Sequence, residues 1–218
     1  EYKYSDLGFF YFKRILENYS NKSFDQYLDD KYYTHLGTST LCFNPHNRFS
    51  KRRITPSEID TKWREQRVHG YVHDMGSAML GGVCGHAGLF SDANDLAILM
   101  QMLLNKGHYG GERFFNQSTI DLFTAYQKGN SRRGLIFDKP ETNTKYANPA
   151  SKLASFKTFG HTGFTGTCAW ADPENQLVYI FLSNRTYPKM GNNKLHSANV
   201  RTKIQDVIYQ AMAKSKGV

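Results

Sequence analysis

The sequence is poor in the residues that mark several specialised classes. Among its 218 residues are three cysteines, at positions 42, 84 and 168. Their odd number and wide spacing exclude a disulfide framework and a Cys-x-x-Cys metal site. Six scattered prolines are too few for a collagen-like or proline-rich chain. No apolar run approaches the roughly 20 residues that a bilayer-crossing helix needs, so no membrane span is expected. The amino end, Glu1-Tyr2-Lys3-Tyr4, has neither an initiator methionine nor the basic-then-apolar layout of a signal peptide, and the chain is expected to have been cut from a longer one. No internal repeat is visible, and no linker clearly divides the sequence.

What is abundant is bulky core material. Fifteen Phe, fourteen Tyr and an apolar fraction of 39% suffice for one substantial core or two subdomains and exclude a disordered chain. Lysine and arginine outnumber acids by 28 to 19. From Arg185 onward seven basic residues face only Asp206, so most of the +9 excess fits a solvated terminal helix. No aromatic RNA-binding sheet motif, zinc-finger pattern or basic zipper accompanies the charge, so a nucleic-acid partner is not expected.

Periodicity divides the chain into a mostly helical and irregular part, about 1–125, and a part with sheet character, about 126–218. Leu7 to Tyr19 is apolar all round and predicts a buried helix. Phe24 to about Tyr33 reads as a second helix behind Ser23. Residues 38–85 read as a long irregular segment, the kind that walls a cleft. Ser91 is placed to cap a helix with the stripe Leu96, Leu99, Met100 and Leu103, which Gly107 would end. Tyr109-Gly110-Gly111 predicts a turn between two small strands, and 118–126 a further short helix. The runs 167–172 and 176–183, joined by Pro173-Glu174-Asn175, predict a hairpin whose second strand is apolar on both faces. Helices should therefore cover both sides of that sheet. One would be the last helix, 197–214, through Val200, Ile204, Val207, Ile208 and Ala211. The expected class is α/β (α+β), an antiparallel sheet covered by helices on both faces plus a mainly helical region.

Two segments carry candidate chemistry. Phe159-Gly160-His161-Thr162-Gly163-Phe164-Thr165-Gly166 heads the hairpin, where glycines allow a close approach to a strand edge and His161 and Thr162 supply polar groups. A glycine-rich strand with an incidental histidine remains open beside that reading. Tyr4-Ser5-Asp6 precedes the first helix, and Asp6 suits its positive end; an N-cap beside a core-rim tyrosine would look the same. His69, His73 and Asp74 have partial metal-ligand spacing, but the glycines around them argue against the helix such a site needs; no metal or other cofactor is expected. His86 reads as a structural histidine in a tight turn. Four Asn-x-Ser/Thr triplets, at Asn18, Asn21, Asn116 and Asn184, read as compositional.

Taken together, these segments resemble the serine β-lactamase and penicillin-binding-protein superfamily, in its class C β-lactamase, D-alanyl-D-alanine carboxypeptidase and esterase branch. Tyr4-Ser5-Asp6 matches the family's Tyr-x-Asn segment, His161-Thr162-Gly163 its Lys-Thr-Gly strand, and 85–96 its glycine-rich turn and helix. The run from Val72 to Ser91 is similar to β-lactamase-like modules that follow a glycoside hydrolase domain in some bacterial surface or periplasmic proteins. The resemblance implies acyl transfer through a serine ester on a lactam, a D-Ala peptide or an ester, in an extracytoplasmic bacterial setting. Tyr4 would be the general base and acid. His161 would stand for the strand lysine, across one groove from Tyr4. Thr162 would donate to a substrate carboxylate, and the amide of Phe164, just past Gly163, would be an oxyanion donor.

Two departures qualify that reading. Asp6 stands where the family has Asn, and a carboxylate cannot donate to a substrate amide; this leans towards esters or towards a relic. No serine of the chain is followed by lysine at the third position. The nucleophile should then lie in a missing N-terminal segment of the same domain, and the chain alone should be inactive, with apolar surface left for that segment, another chain or self-association to cover. The other reading is a catalytically inactive module that binds cell-wall fragments or supports an attached glycoside hydrolase domain.

Overall fold

A computed structural model describes residues 3–127 and 132–215. The chain divides into two compact units, one of Lys3–Asp95 with Asn184–Asn192, the other of Leu96–Ser183 with the residues from Asn193.

In the first unit α1 spans Leu7–Ser20 and ends at Asn21 in a left-handed conformation, φ 52°. A fully buried α1 is the expectation that fails: none of its residues is buried, and Leu7, Tyr11, Phe12, Ile15 and Tyr19 are exposed. The helix presents one face inward. Phe9 lies against Gly85 and Phe10 against Gly76, each at a glycine where an added Cβ would come within about 3.3 Å of the phenylalanine. Leu16 is half-buried on the same side, and the exposed residues make up the rest of the helix surface. Next come α2 (Phe24–Leu28), continued by a π-helical turn, Asp29–Tyr33, close to the expected bounds.

Residues 38–85 are less irregular than their composition implies. They hold a short antiparallel pair, β1 (Glu58–Asp60) with β2 (Gln66–Val68), and a one-turn helix α3 (Met75–Met79). The pair is organised by buried Asp60, whose carboxylate accepts from the amides of Lys62, Trp63 and Arg64 at 2.9–3.1 Å. Strands of three residues carry too little alternation to be read from sequence.

The second unit contains most of α4 (Ala93–Leu104), the small hairpin β3 (His108–Tyr109) and β4 (Glu112–Arg113), and α5 (Gln117–Thr124). It is Asp92 that caps α4, accepting from the Asp95 amide at 2.9 Å; Ser91 instead donates to the Asp92 carbonyl. Its main sheet has the order β5 (Phe159–Thr162), β6 (Cys168–Asp172), β7 (Leu177–Phe181), all antiparallel. The register pairs Gly160 with Trp170 and Trp170 with Tyr179. Then come α6 (Lys194–Ser197) and α7 (Val200–Ser215).

The sheet is covered on both faces, as its two-sided apolarity requires. On one, Met100 and Leu104 of α4 pack with Phe159, Ala171, Val178 and Ile180; on the other, Ile208 of α7 packs with Cys168, Trp170 and Tyr179. Packing of α7 is rotated from the expected phase. Gln205 and Tyr209 are its buried residues, whereas Val207 is 63% and Ile204 39% exposed. Gln205 turns inward because its carbonyl oxygen accepts from the buried Ser151 amide at 2.8 Å. All three cysteines are buried and free, and among the described residues no helix is long and apolar enough to cross a membrane.

Candidate active site

The His161 segment sits where β5 meets its turn. Gly160 must be glycine: a Cβ there would lie 2.0 Å from the Ala169 carbonyl oxygen and 2.8 Å from the Trp170 Cα, so the close pairing of β5 with β6 depends on its absence. Gly163 is equally confined, with a Cβ falling 2.1 Å from Thr167 Oγ1. Its amide donates to the Thr167 carbonyl at 2.8 Å and its carbonyl accepts from Gly166 at 3.0 Å. Phe164 thus occupies the turn 163–166, its ring 60% exposed.

His161 is half-buried, and both its ring nitrogens are engaged. Nδ1 lies 2.7 Å from the Thr162 carbonyl and Nε2 3.0 Å from Arg133 Nη1. A carbonyl can only accept and a guanidinium can only donate, so the hydrogen-bond pattern assigns the proton to Nδ1 and makes Nε2 the acceptor. Arg133 is in turn 3.4 Å from Asp138, which also pairs with Arg132 at 2.9 Å. Asp138 is 1% exposed, and its backbone bonds to Gly160 in both directions, at 2.7 and 3.1 Å. One carboxylate therefore fixes two arginines and the start of β5 together. Arg133 is the residue sequence reasoning missed; it lies 28 positions from His161 in a stretch without periodicity, and a double arginine is its only signal.

Tyr4 and Asp6 belong to the first unit, and His161, Thr162, Gly163 and Phe164 to the second; each group is described within its own. Tyr4 is 55% exposed. Asp6 occupies the N-cap position of α1 without a side-chain cap bond; the Leu7 amide instead donates to Ser5 Oγ at 3.3 Å.

The glycine-rich turn lies beside α1 and α3. Asp74 caps α3 through the Ser77 amide at 2.7 Å and bonds His86 Nε2 at 2.8 Å, while the His86 ring lies 4.8 Å from that of Phe10. The expected structural histidine is what is found. Gly82 (φ +82°) and Gly88 (φ +119°) adopt conformations that side-chain-bearing residues rarely take. A Cβ on Gly88 would lie 2.4 Å from the Gly82 carbonyl oxygen. His69 bonds the carbonyls of Lys51 and Ile54 and His73 bonds Glu58 at 2.9 Å, so these two histidines serve different neighbours. The start of α4 is tied down by Asp95, which accepts from the Ser39 and Thr40 amides and the Thr40 hydroxyl at 2.6–2.7 Å. Burial alone would raise its pKa, but these bonds prevail and hold it below the usual carboxylate value.

An antiparallel sheet flanked by helices, with a His-Thr-Gly strand and a glycine-rich turn, defines a protein of the serine β-lactamase and penicillin-binding-protein fold. Comparison with known proteins agrees. A family model described as "Beta-lactamase" matches residues 1–201, and the chain belongs to that family. It is 35% identical over 196 residues to an Escherichia coli protein named "Putative D-alanyl-D-alanine carboxypeptidase", covering 84% of this chain and 45% of that protein. Solved structures with the same fold include a β-lactamase from Mycobacterium bovis, at TM-score 0.64 and 18% identity over 96% of this chain and 64% of that one. A penicillin-binding protein homologue from Caulobacter crescentus superposes at TM-score 0.53 and 21% identity, over 79% of this chain and 49% of that one. The chain spans about half the length of the curated relatives it matches.

Proposed function

We propose that this chain is the C-terminal portion of an acyl-serine hydrolase that acts on a substrate ending in a carboxylate, a D-alanyl peptide before a lactam or a simple ester. The observation that carries the reading is the Arg133–His161 bond beside Thr162. It holds a guanidinium, oriented by the imidazole that accepts from it, beside a hydroxyl at one strand end, two donors suited to a carboxylate. Relatives named as carboxypeptidases support the same choice.

In this reading a serine and lysine from a portion of the domain outside these 218 residues supply the nucleophile. Tyr4 moves the proton between that serine and the leaving group. The Phe164 amide stabilises the oxyanion, a role worth roughly 10²–10³ in rate per donor. Asp6 limits turnover of amide substrates, since it offers no hydrogen to them. The exposed apolar residues of α1 are the surface that the additional portion covers, and an extracytoplasmic bacterial location follows from a cell-wall substrate.

The test is made on the longer protein. It should be acylated by a penicillin probe at a serine beyond this chain and should release D-alanine from a D-Ala-D-Ala peptide, with Tyr4→Phe reducing both. Labelling of a serine within the 218 residues would overturn the reading. Saturable binding of cell-wall peptide without acylation would favour the inactive module, for which Asp6 is the supporting departure. A genomic reading that places a glycoside hydrolase domain ahead of the chain, together with cell fractionation, would test the remaining expectations.

A further inference from the structure

The second unit buries a lysine that the proposed chemistry does not use. Lys139 is 2% exposed. Its ammonium donates to the carbonyls of Thr158 at 2.9 Å and Lys157 at 3.4 Å and lies 4.7 Å from the centre of the Tyr126 ring. Among the described residues no carboxylate forms an ion pair with it. Carbonyls and a ring face solvate a cation but do not neutralise it, and an uncompensated buried charge is costly. The cost is visible in its titration: burial first, then the charge of Lys106, push the ammonium down to about 8 against the opposing pull of Asp172.

Lys139 also lines a cavity of about 300 Å³, at the small end of ligand pockets. Its other cations already have partners. Lys106 pairs with Asp121 at 2.7 Å and Lys157 with Glu174 at 3.3 Å. Flat apolar surface comes from Tyr126, Phe156 and Pro173. The Tyr126 hydroxyl is committed to the Pro140 carbonyl at 2.7 Å, so the ring contributes its face.

The geometry points to a binding site for a small carboxylate with a flat apolar body, whose charge meets the Lys139 ammonium and whose body lies against Tyr126 and Phe156. Nothing in the acyl-transfer chemistry needs this cavity, which is lined by the Asp172 end of the sheet whereas His161 stands at the other end of β5. The site is therefore independent of the reading given above.

Benzoate is the probe and benzyl alcohol its uncharged counterpart, both titrated into the 218-residue chain while amide resonances are followed by NMR. Benzoate should saturate, with its largest shifts at Tyr126, Lys139 and Lys157, and bind roughly 10- to 100-fold more tightly than benzyl alcohol, as expected for one charged hydrogen bond. Lys139→Met should remove that preference, and Lys152→Met, at an exposed lysine, should keep it. Equal binding of the two probes by the unaltered chain, or benzoate shifts that map elsewhere, would overturn the proposal without recourse to a variant.

Discussion

Asp172 is the residue whose replacement should be felt most sharply, and the expected size can be worked from its bonds. It is 1% exposed. Oδ1 accepts from the Ser155 hydroxyl at 2.6 Å and the amides of Glu174 and Asn175 at 3.1 and 3.3 Å. Oδ2 accepts from the Ser155 amide at 3.0 Å, the Asn175 side chain at 2.8 Å and the Tyr209 hydroxyl at 2.7 Å. One carboxylate thus joins the end of β6, the loop before β5 and α7. Burial would raise its pKa, but the bonds from Ser155, Tyr209 and Asn175 outweigh it and lower the pKa to about 2. In Asp172→Asn, whichever way the amide is turned, an NH₂ faces three donors. A hydroxyl can rotate and the Asn175 side chain can turn its oxygen to accept, but at least one N–H group stays unpaired, at about 1–3 kcal/mol, and the remaining donors lose a charged acceptor. The variant should lose about 2–4 kcal/mol, read as a lower urea midpoint at unchanged slope. The pH dependence has a definite sign. A carboxyl lowered from about 3.9 in the unfolded chain contributes about 2 kcal/mol that is fully present above pH ~4 and disappears as the pH falls towards ~2. The variant should lack that component. A midpoint within about 0.5 kcal/mol of wild type at neutral pH would refute the argument.

Four further expectations follow from the same reasoning. Gly160→Ala places a methyl against the backbone of β6, 2.0 Å from the Ala169 oxygen; it should cost roughly 1–3 kcal/mol or more in a denaturation midpoint and broaden the resonances of 159–162. At Asp95, alanine should cost roughly 2–4 kcal/mol, whereas asparagine should cost less than half as much, because all three donors converge on Oδ2, a position an amide oxygen can fill; equal losses in chemical denaturation would contradict this. Nitrogen-15 spectra should find the neutral His161 proton on Nδ1. In the longer protein Arg133→Ala should raise KM roughly 10- to 100-fold for substrates with a terminal carboxylate and little for those without, with kcat less affected; a proton on Nε2, or equal effects on both substrates, would count against the assigned geometry.

The parts of the molecule that were legible in the sequence are those whose determinants are local. The hairpin of β6 and β7 was visible because Pro173-Glu174-Asn175 breaks two apolar runs, and its helical covers followed because both faces of β7 are apolar. The stripe of α4 and the Gly107 terminator, φ +85°, were equally local. His161, Thr162 and Gly163 were found as a segment, but what holds them was not. The bond from Arg133 and the buried Asp138 behind it connect residues far apart in the chain, and no spacing rule links them. Asp60 hid a strand pair in the same way, by supplying a turn through its side chain.

The two misjudged helices show a more general limit. In α7 the inward position went to Gln205 because a buried amide of Ser151 needed an acceptor, and hydrogen-bond demand from another segment overrode apolarity. In α1 apolar residues surround the axis, so the sequence tells how much apolar surface exists but not which side is covered. Glycines at 76 and 85 favour the observed side, since a Cβ at either would crowd Phe10 or Phe9 at 3.1 and 3.3 Å. Replacing Gly85 by alanine should therefore loosen the covered face of α1 while leaving its exposed face unchanged. Hydrogen exchange should accelerate around residues 9–13 without loss of helix content; unchanged protection there would mean that something other than the glycine gap sets the orientation of α1.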